Sequence, residues 1–413
     1  MNEYLKSFSS HTDYEEYLTG GTMIKPNVSY CEDVKEVHYN PWTWADEYFT
    51  TVALEDGTIS FNITKNMGTE FVSSISYSTD GGETWTITNN TDDKTNDLTI
   101  TVNVSSGDKV LWKGNANYFS DMTETAVFSS TCRFDVMGNI MSLLYGDEYK
   151  NKTTISNTCC FGGMFGQCNV INAKNLSLPA TTLSTYCYMM MFGDCINLIT
   201  APELPATTVN VMSYGYMFSG CTSLTDASVI SATSLAEGSC MGMFSDCTSL
   251  VTAPTLPATT LANLCYSVMF QGCTSLTTAP ELPATILAES CYGSMFYGCT
   301  SLVNVPELHA TTLAKQCCQS MFEGCTSLVK APTLPATTLV ERCYQYIFQG
   351  CRSLNYIKAM FTTTPSNSYT YSWVNNVAAS GTFVKNSAAT WNPEEVRGVN
   401  GIPTNWTVQT ASE

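Results

Sequence analysis

The chain has 413 residues, 44% hydrophobic and 13% charged, with 36 acidic against 18 basic side chains and a net charge of −18. That length calls for several domains or a repeat array rather than one ordinary core, and the apolar content excludes a disordered chain. The acidic excess, concentrated before residue 160, repels phosphate backbones and excludes nucleic acid as partner; no apolar run approaches the ~18 residues of a membrane span, so membrane insertion is excluded too.

Residues 2–19 place Tyr4, Leu5, Phe8, Tyr14, Tyr17 and Leu18 at helical spacing ahead of Gly20-Gly21, which predicts a helix with a glycine stop. The N-terminus lacks the charged-then-apolar order of a secretory signal, so the chain reads as not exported and its cysteines as reduced. From Met23 to Pro41 the chain is proline-broken and rich in β-formers, the composition of an extended arm. Residues 1–42 are therefore assigned to an N-terminal helix and attachment arm.

Between residues 43 and 115, short alternating runs such as Ile59–Ile63, Leu98–Val104 and Lys109–Lys113 are separated by turns, the pattern of a small Ig-like β-sandwich. Within it Ser78, Asp80, Gly82 and Trp85 fit S-x-D-x-G-x-x-W, which resembles the Asp-box hairpin of sialidase propellers; the resemblance implies a locked turn and no chemistry. Residues 116–157 are assigned to a connector and N-terminal solenoid cap.

From residue 158 the sequence repeats itself. A Met-Phe pair stands at Met164-Phe165 and recurs through Met321-Phe322, with Ile347-Phe348 last; after one step of 27 the spacing is 26 residues each time. A cysteine follows three residues after each Phe, from Cys168 to Cys351, giving eight units over 158–357. In the unit from Cys273 to Gly298, Leu276 and Ala279 predict a brief strand, ended by Pro280, which cannot donate to a ladder. Thr285 is placed to cap a second leg whose Leu287, Cys291 and Met295 fall at i, i+4 and i+8, the spacing of a helical stripe stopped by Gly298. No unit buries its apolar residues alone, so stacking makes the core and the end units depend less on their Phe than the middle ones.

A second cysteine column, five residues before the Phe, holds Cys160, Cys187, Cys265, Cys291, Cys317 and Cys343, with Ser213 in the gap and Cys240 displaced by one. These read as small buried thiols, because the sequence has no C-x-x-C, and His11, His38 and His309 stand near no cysteine pair at ligand spacing. No metal and no cofactor are expected. Residues 358–413 form the C-terminal cap, with Trp373, Trp391 and Trp406 as either cap core or exposed stacking platforms for a glycan.

The wording M-F-x-G-C-T-S-L followed by an apolar leg and a proline resembles the BspA-like leucine-rich repeats over 158–357, departing in its A-P-E-L-P segment. The resemblance implies a curved solenoid acting in adhesion. IKPNVSYC and EVHYNPW resemble N-terminal segments of virion proteins from crAss-like and related Bacteroides phages, which implies that residues 1–42 join other virion proteins. The expected fold is thus mixed β/α: helix and arm, β-sandwich, then a leucine-rich-repeat solenoid of eight units with a cap.

Catalytic parts are missing from the sequence: it has no phosphate loop, H-E-x-x-H or G-x-S-x-G, and pairs such as Glu394-Glu395 sit side by side like solvated helix ends. The expected function is therefore a non-enzymatic virion structural protein of fibre or decoration type, displayed on the virion and binding a host cell-surface glycan or protein. A BspA-like bacterial surface adhesin and an intracellular scaffold are the alternatives, and a homo-oligomer is compatible with each. Binding residues are expected on the concave sheet face, five residues after each unit's cysteine: Thr200, Asp226, Thr252, Thr278, Asn304, Lys330 and Tyr356. Glu203, Thr255, Glu281, Glu307 and Thr333 form a companion column at +8.

Overall fold

The computed structural model describes residues 46–63, 72–89, 98–116 and 128–411, all within a compact unit that begins at Trp42. The helix expected over 2–19 and the arm before Trp42 lie outside the described residues. The chain opens with β1 (Phe49–Ala53), β2 (Gly57–Ile63), β3 (Val72–Ser78), β4 (Thr86–Asn89), β5 (Leu98–Val104), β6 (Lys109–Ala116), β7 (Phe128–Ser130) and β8 (Phe134–Asn139). These pair antiparallel in two sheets, β4-β3-β6-β1-β8 and β5-β2-β7. The inward residues of both sheets are buried aliphatics such as Ile59, Ile75 and Val110 together with aromatics that close the sandwich: the Phe61 ring lies 4.8 Å from its strand partner Phe128 and 6.1 Å from Trp112 of the other sheet. Strands β7 and β8 come from the segment read as a connector, so the sandwich runs past residue 115.

β8 also carries the sandwich into the solenoid. Its other edge pairs in parallel with β9 (Leu176–Ser177) of the first unit, and Phe134, Val136 and Gly138 donate their amides to the carbonyls of Asn169, Asn172 and Asn175. Gly138 makes the switch possible: its φ is +78°, and a Cβ there would stand 2.1 Å from the Tyr48 carbonyl oxygen. Only glycine fits that position.

In the repeats the first leg is as narrow as Pro280 and its counterparts require. Single parallel bridges link Thr200 to Asp226, Asp226 to Thr252, Thr252 to Thr278 and Thr278 to Asn304. The second leg corrects the helical reading. Among the described residues the only α-helices are two single turns, α1 (Ser142–Tyr145) and α2 (Asn367–Thr370), and the repeat leg is a run of consecutive turns. From Ser290 to Cys299, the amides of Gly293, Met295, Tyr297 and Cys299 each bond the carbonyl three residues back. The amides between them, at Ser290, Tyr292, Ser294, Phe296 and Gly298, bond carbonyls of the next coil, with Phe296 to Met321 at 2.9 Å. One residue in four is left-handed, as at Ser290, Ser294 and Gly298, with φ between +51° and +71°. The i, i+4, i+8 spacing of Leu287, Cys291 and Met295 therefore comes from a turn that repeats every four residues. Apolar residues four apart fit a helix and this ribbon equally well, which is why the spacing misled.

The phenylalanines form one continuous stack from Phe165 to Phe348, with successive centroids 5.1 to 5.9 Å apart and near-parallel planes. It does not stop at the repeats. Phe165 lies 5.3 Å from Phe128 of the sandwich, and Phe348 lies 6.2 Å from Trp373 of the cap. A second aromatic column runs beside it, with Phe161 on Tyr188, Tyr188 on Tyr214 and Tyr266 on Tyr292. Cys240 and Cys318 occupy this tyrosine column, while Ser213 and Ser239 fill the cysteine one; Cys240 is thus a substitution in the neighbouring column rather than a displaced member of its own.

The cysteines after each Phe are bonded as well as buried. Cys273 Sγ donates to the Phe244 carbonyl one coil back at 3.1 Å, and the same bond recurs from Cys168, which reaches Phe128 of the sandwich, to Cys351. Each such carbonyl in the array also accepts the amide of its own unit's cysteine, so the thiol occupies the second lone pair of a buried oxygen. All the described cysteines are thiols, and all but Cys159 are buried. Burial pushes Cys299, Cys343 and Cys351 up to about 12. Cys317 is drawn down by the hydrogen bond from Cys318, whose own thiol is raised.

The C-terminal segment continues the stack with parallel strands β10 (Tyr356–Ala359), β11 (Thr382–Lys385) and β12 (Thr407–Thr410). Its tryptophans are not exposed platforms: Trp373, Trp391 and Trp406 are all buried. Trp373 Nε1 donates to the Gly401 carbonyl at 2.7 Å and Trp406 Nε1 to that of Ala378 at 2.8 Å.

Phe270→Ala should cost about 3–5 kcal/mol, and because both ends of the stack are covered, Phe165→Ala and Phe348→Ala should cost about as much; chemical denaturation of the three variants measures it. Thiols raised in the folded state stabilise it below their unfolded pKa, near the ordinary value of 9.0, and that stability is lost as pH climbs toward the folded value. Melting temperature should hold between pH 7 and 8.5 and fall above 9, and iodoacetamide at pH 8 should label the denatured protein far faster than the native one.

Candidate binding surface

The residues at +5 form one line across the coils, as the bridges through Thr200, Asp226, Thr252, Thr278 and Asn304 and the further bridge from Lys330 to Tyr356 require. Thr200 and Tyr356 are half-buried and the other five are exposed. Side chains along the line touch: Asn304 Nδ2 donates to Thr278 Oγ1 at 3.4 Å, and Thr200 Oγ1 to Asn172 Oδ1 at 3.3 Å. At the C-terminal end Lys330 Nζ stands 5.7 Å from the centre of the Tyr356 ring and 3.8 Å from Glu307 of the +8 column. Glu307 also accepts the Thr333 amide at 2.6 Å. The pair is well exposed, so it orients the three side chains and contributes little stability. Glu203, Thr255, Glu281 and Glu307 are exposed and Thr333 is half-buried.

Strand alternation does not describe this leg. Leu at +3 and Ala at +6 point inward as expected, but +4 and +5 both face solvent, because the extended pairing is too short to set a pleat. The +4 column therefore adds Ile199, Val251, Val303 and Val329, each between 42% and 50% exposed, and a β-branched apolar line runs beside the polar one. The signal for it was in the sequence, as valine and isoleucine at a fixed place in the repeat, hidden by the assumption of a regular strand.

In the sandwich, Asp80 accepts from Ser78 Oγ at 2.7 Å and from the Thr84 amide at 3.0 Å, while Gly82 donates to Ser78 Oγ and Trp85 Nε1 to the Gly82 carbonyl. These donors, the Thr84 hydroxyl first, hold the Asp80 carboxyl well below the usual carboxylate range. Lys113 Nζ lies 4.1 Å from the centre of the Trp85 ring and 2.7 Å from Asp147, which also accepts the Tyr48 hydroxyl. The turn is thereby tied to the sandwich, with the carboxylates of Asp80 and Asp147 both held in structural bonds.

The buried thiols are poorly placed as nucleophiles, since, Cys317 apart, those that shift are pushed away from the thiolate. Among the described residues no group of three or more His, Cys, Asp or Glu side chains is placed to hold a metal ion, and no helix is long and apolar enough to cross a membrane. What the geometry offers is a long array of side chains on a rigid stack.

No curated protein matches the chain. The family profile described as the BspA type leucine rich repeat region matches residues 151–277 and 265–385, in six copies, which is more than half of the sequence. The matched span contains the Phe stack, the thiol ladder and the bridged +5 line, and the chain belongs to the BspA-type leucine-rich-repeat family.

Proposed function

We propose that this protein is a non-enzymatic binding module that engages an extended partner on a host-cell surface along the +4 and +5 columns. The observation that supports this most is the contrast between columns. Positions facing the core carry the same residue in unit after unit, whereas the +5 line passes from threonine to Asp226, Asn304, Lys330 and Tyr356, along a row bridged from Thr200 to Asn304 and again from Lys330 to Tyr356. Half-exposed valines next to hydroxyl, amide and charged groups suit a partner with both apolar and polar edges. The Lys330–Tyr356–Glu307 end supplies the features typical of an energetic centre, an aromatic ring beside a charge.

Residues 1–42 are proposed to attach the module to other virion proteins, so that the solenoid is displayed on the particle; their resemblance to virion N-terminal segments supports this. Tryptic mass spectrometry of purified particles tests the placement. A fixed stoichiometry supports it, and absence from particles together with recovery in a bacterial surface fraction moves the module to a cell envelope.

The binding face is tested separately. A triple variant, Asn304→Ala with Lys330→Ala and Tyr356→Ala, should stay folded and melt within a few degrees of wild type, since the exposed Asn304 and Lys330 contribute at most about 0.5 kcal/mol each and the half-buried Tyr356 about 1 kcal/mol. Its binding to host cells should fall at least about tenfold, the loss of one modest energetic centre. Undiminished binding by the folded variant removes this face from consideration.

A further inference from the structure

A second exposed face differs from the first in being uniform. Thr181 and every twenty-sixth residue after it, to Thr337, are threonines, and all seven are exposed. The next position, from Thr182 to Thr338, is threonine as well apart from Ser234 and Ile286, and it too is exposed in every unit. The backbone keeps the rows in register: Thr182 bridges Thr208, Thr208 pairs with Ser234, and Ile286 bridges Thr312. The amides of Thr207, Thr233 and Thr311 bond the carbonyls of Thr181, Thr207 and Thr285 at 3.1 to 3.2 Å.

The stripe is also electrically distinct. From the leucine or isoleucine three residues before each first threonine to the residue two places after the second, no unit carries Asp, Glu, Lys or Arg, in a chain whose net charge is −18. Acidic residues flank it on both sides, Glu203, Glu281 and Glu307 on one and Glu237, Glu289 and Glu341 on the other, all exposed; the exposed cations of the second border, Lys315 and Arg342, both pair with Glu341. A polyanion laid on this stripe meets like charge along both borders, and a neutral partner meets none.

We propose that the paired threonine columns are a second binding surface that takes an extended, uncharged, β-1,4-linked glycan lying along the stack of coils. Each hydroxyl donates one hydrogen bond and accepts others, so it matches sugar hydroxyls in either sense. Neighbouring coils advance by about 4.8 Å, close to the advance of one ring in an extended β-1,4 chain; successive rings are turned by about 180°, so the same contact recurs at every second coil. The threonine methyls, and Ile286 at 64% exposure, provide the apolar contact that ring faces require. Uniform columns suit a polymer of identical units, as the varied +5 line does not.

Threonine is also a good β-former, and that purely structural role predicts a different result on substitution by valine, which keeps the branch and loses the hydroxyl. The full chain is run by native affinity electrophoresis in gels containing hydroxyethylcellulose or polygalacturonate. Wild type should be retarded by the neutral polymer alone. The variant Thr259→Val, Thr260→Val, Thr311→Val, Thr312→Val should bind it about tenfold more weakly or worse, since several hydrogen bonds are lost together, with unchanged melting. The four corresponding serine substitutions, which keep the hydroxyls and lose only the methyls, should retain most of the retardation, and the triple variant of the +5 line should keep all of it. If the valine variant melts early, Thr260→Arg, a single change at an exposed site, carries the same test. The proposal is overturned if wild type is not retarded by hydroxyethylcellulose, if polygalacturonate retards it equally, if the folded valine variant binds as well as wild type, or if the +5 variant loses the retardation.

Discussion

The rest of the structure depends on one constraint, the hydrogen bonding of every second amide in the turn leg to the coil that follows. Each coil uses half of its turn amides to close its own turns and sends the other half onward, which pairs every amide from Ser290 to Cys299. Those onward bonds fix the coil-to-coil distance and register. Once register is fixed, each side chain meets the same position of its neighbours, and a residue that fits one coil fits them all. The Phe stack, the tyrosine column and the thiol-to-carbonyl ladder are consequences of that translation.

The same constraint explains which parts of the fold were legible in the sequence. Translation imposes identity at inward positions, so the unit count, the period and the Phe and Cys columns can be read without coordinates. The +5 row was equally legible, since the period alone aligns its members. The helical reading failed because a four-residue turn and a helix both bring residues i, i+4 and i+8 to one side. What separates them is the left-handed residue at every fourth place, and in this chain that place is held by Leu264, Val268, Gln316 and Arg342 as well as by glycine. Stacking overrides local preference there, at an ordinary cost of about 1–2 kcal/mol per left-handed non-glycine residue. Composition therefore gives no warning.

The two ends were hard to read for a related reason. A stack of coils leaves an unpaired backbone edge and an uncovered aromatic at each end. At the N-terminal end both are covered by the sandwich, whose β8 extends the ladder and whose Phe128 extends the stack. Three- and six-residue strands such as β7 and β8 carry little periodic signal of their own, and they make sense only as partners of the first coil. At the C-terminal end Trp373 does for Phe348 what another Phe would do, with its indole N–H bonded inside the cap. Of the two readings the sequence leaves for these tryptophans, cap core or surface platforms, the first holds: they are the plug of the core.

Because the inward columns carry the stability, the outward ones are nearly independent of it. A change at Asp226 or Asn304 touches solvent and at most one neighbouring side chain, so recognition can vary without loosening the stack. Variation along a row then has a direction of interpretation. A row whose residues differ from coil to coil offers each part of a partner a different contact and suits a surface without internal repetition. A row that stays the same over seven coils while free to change offers one contact repeatedly, which is useful only to a partner that is itself periodic at the spacing of the coils.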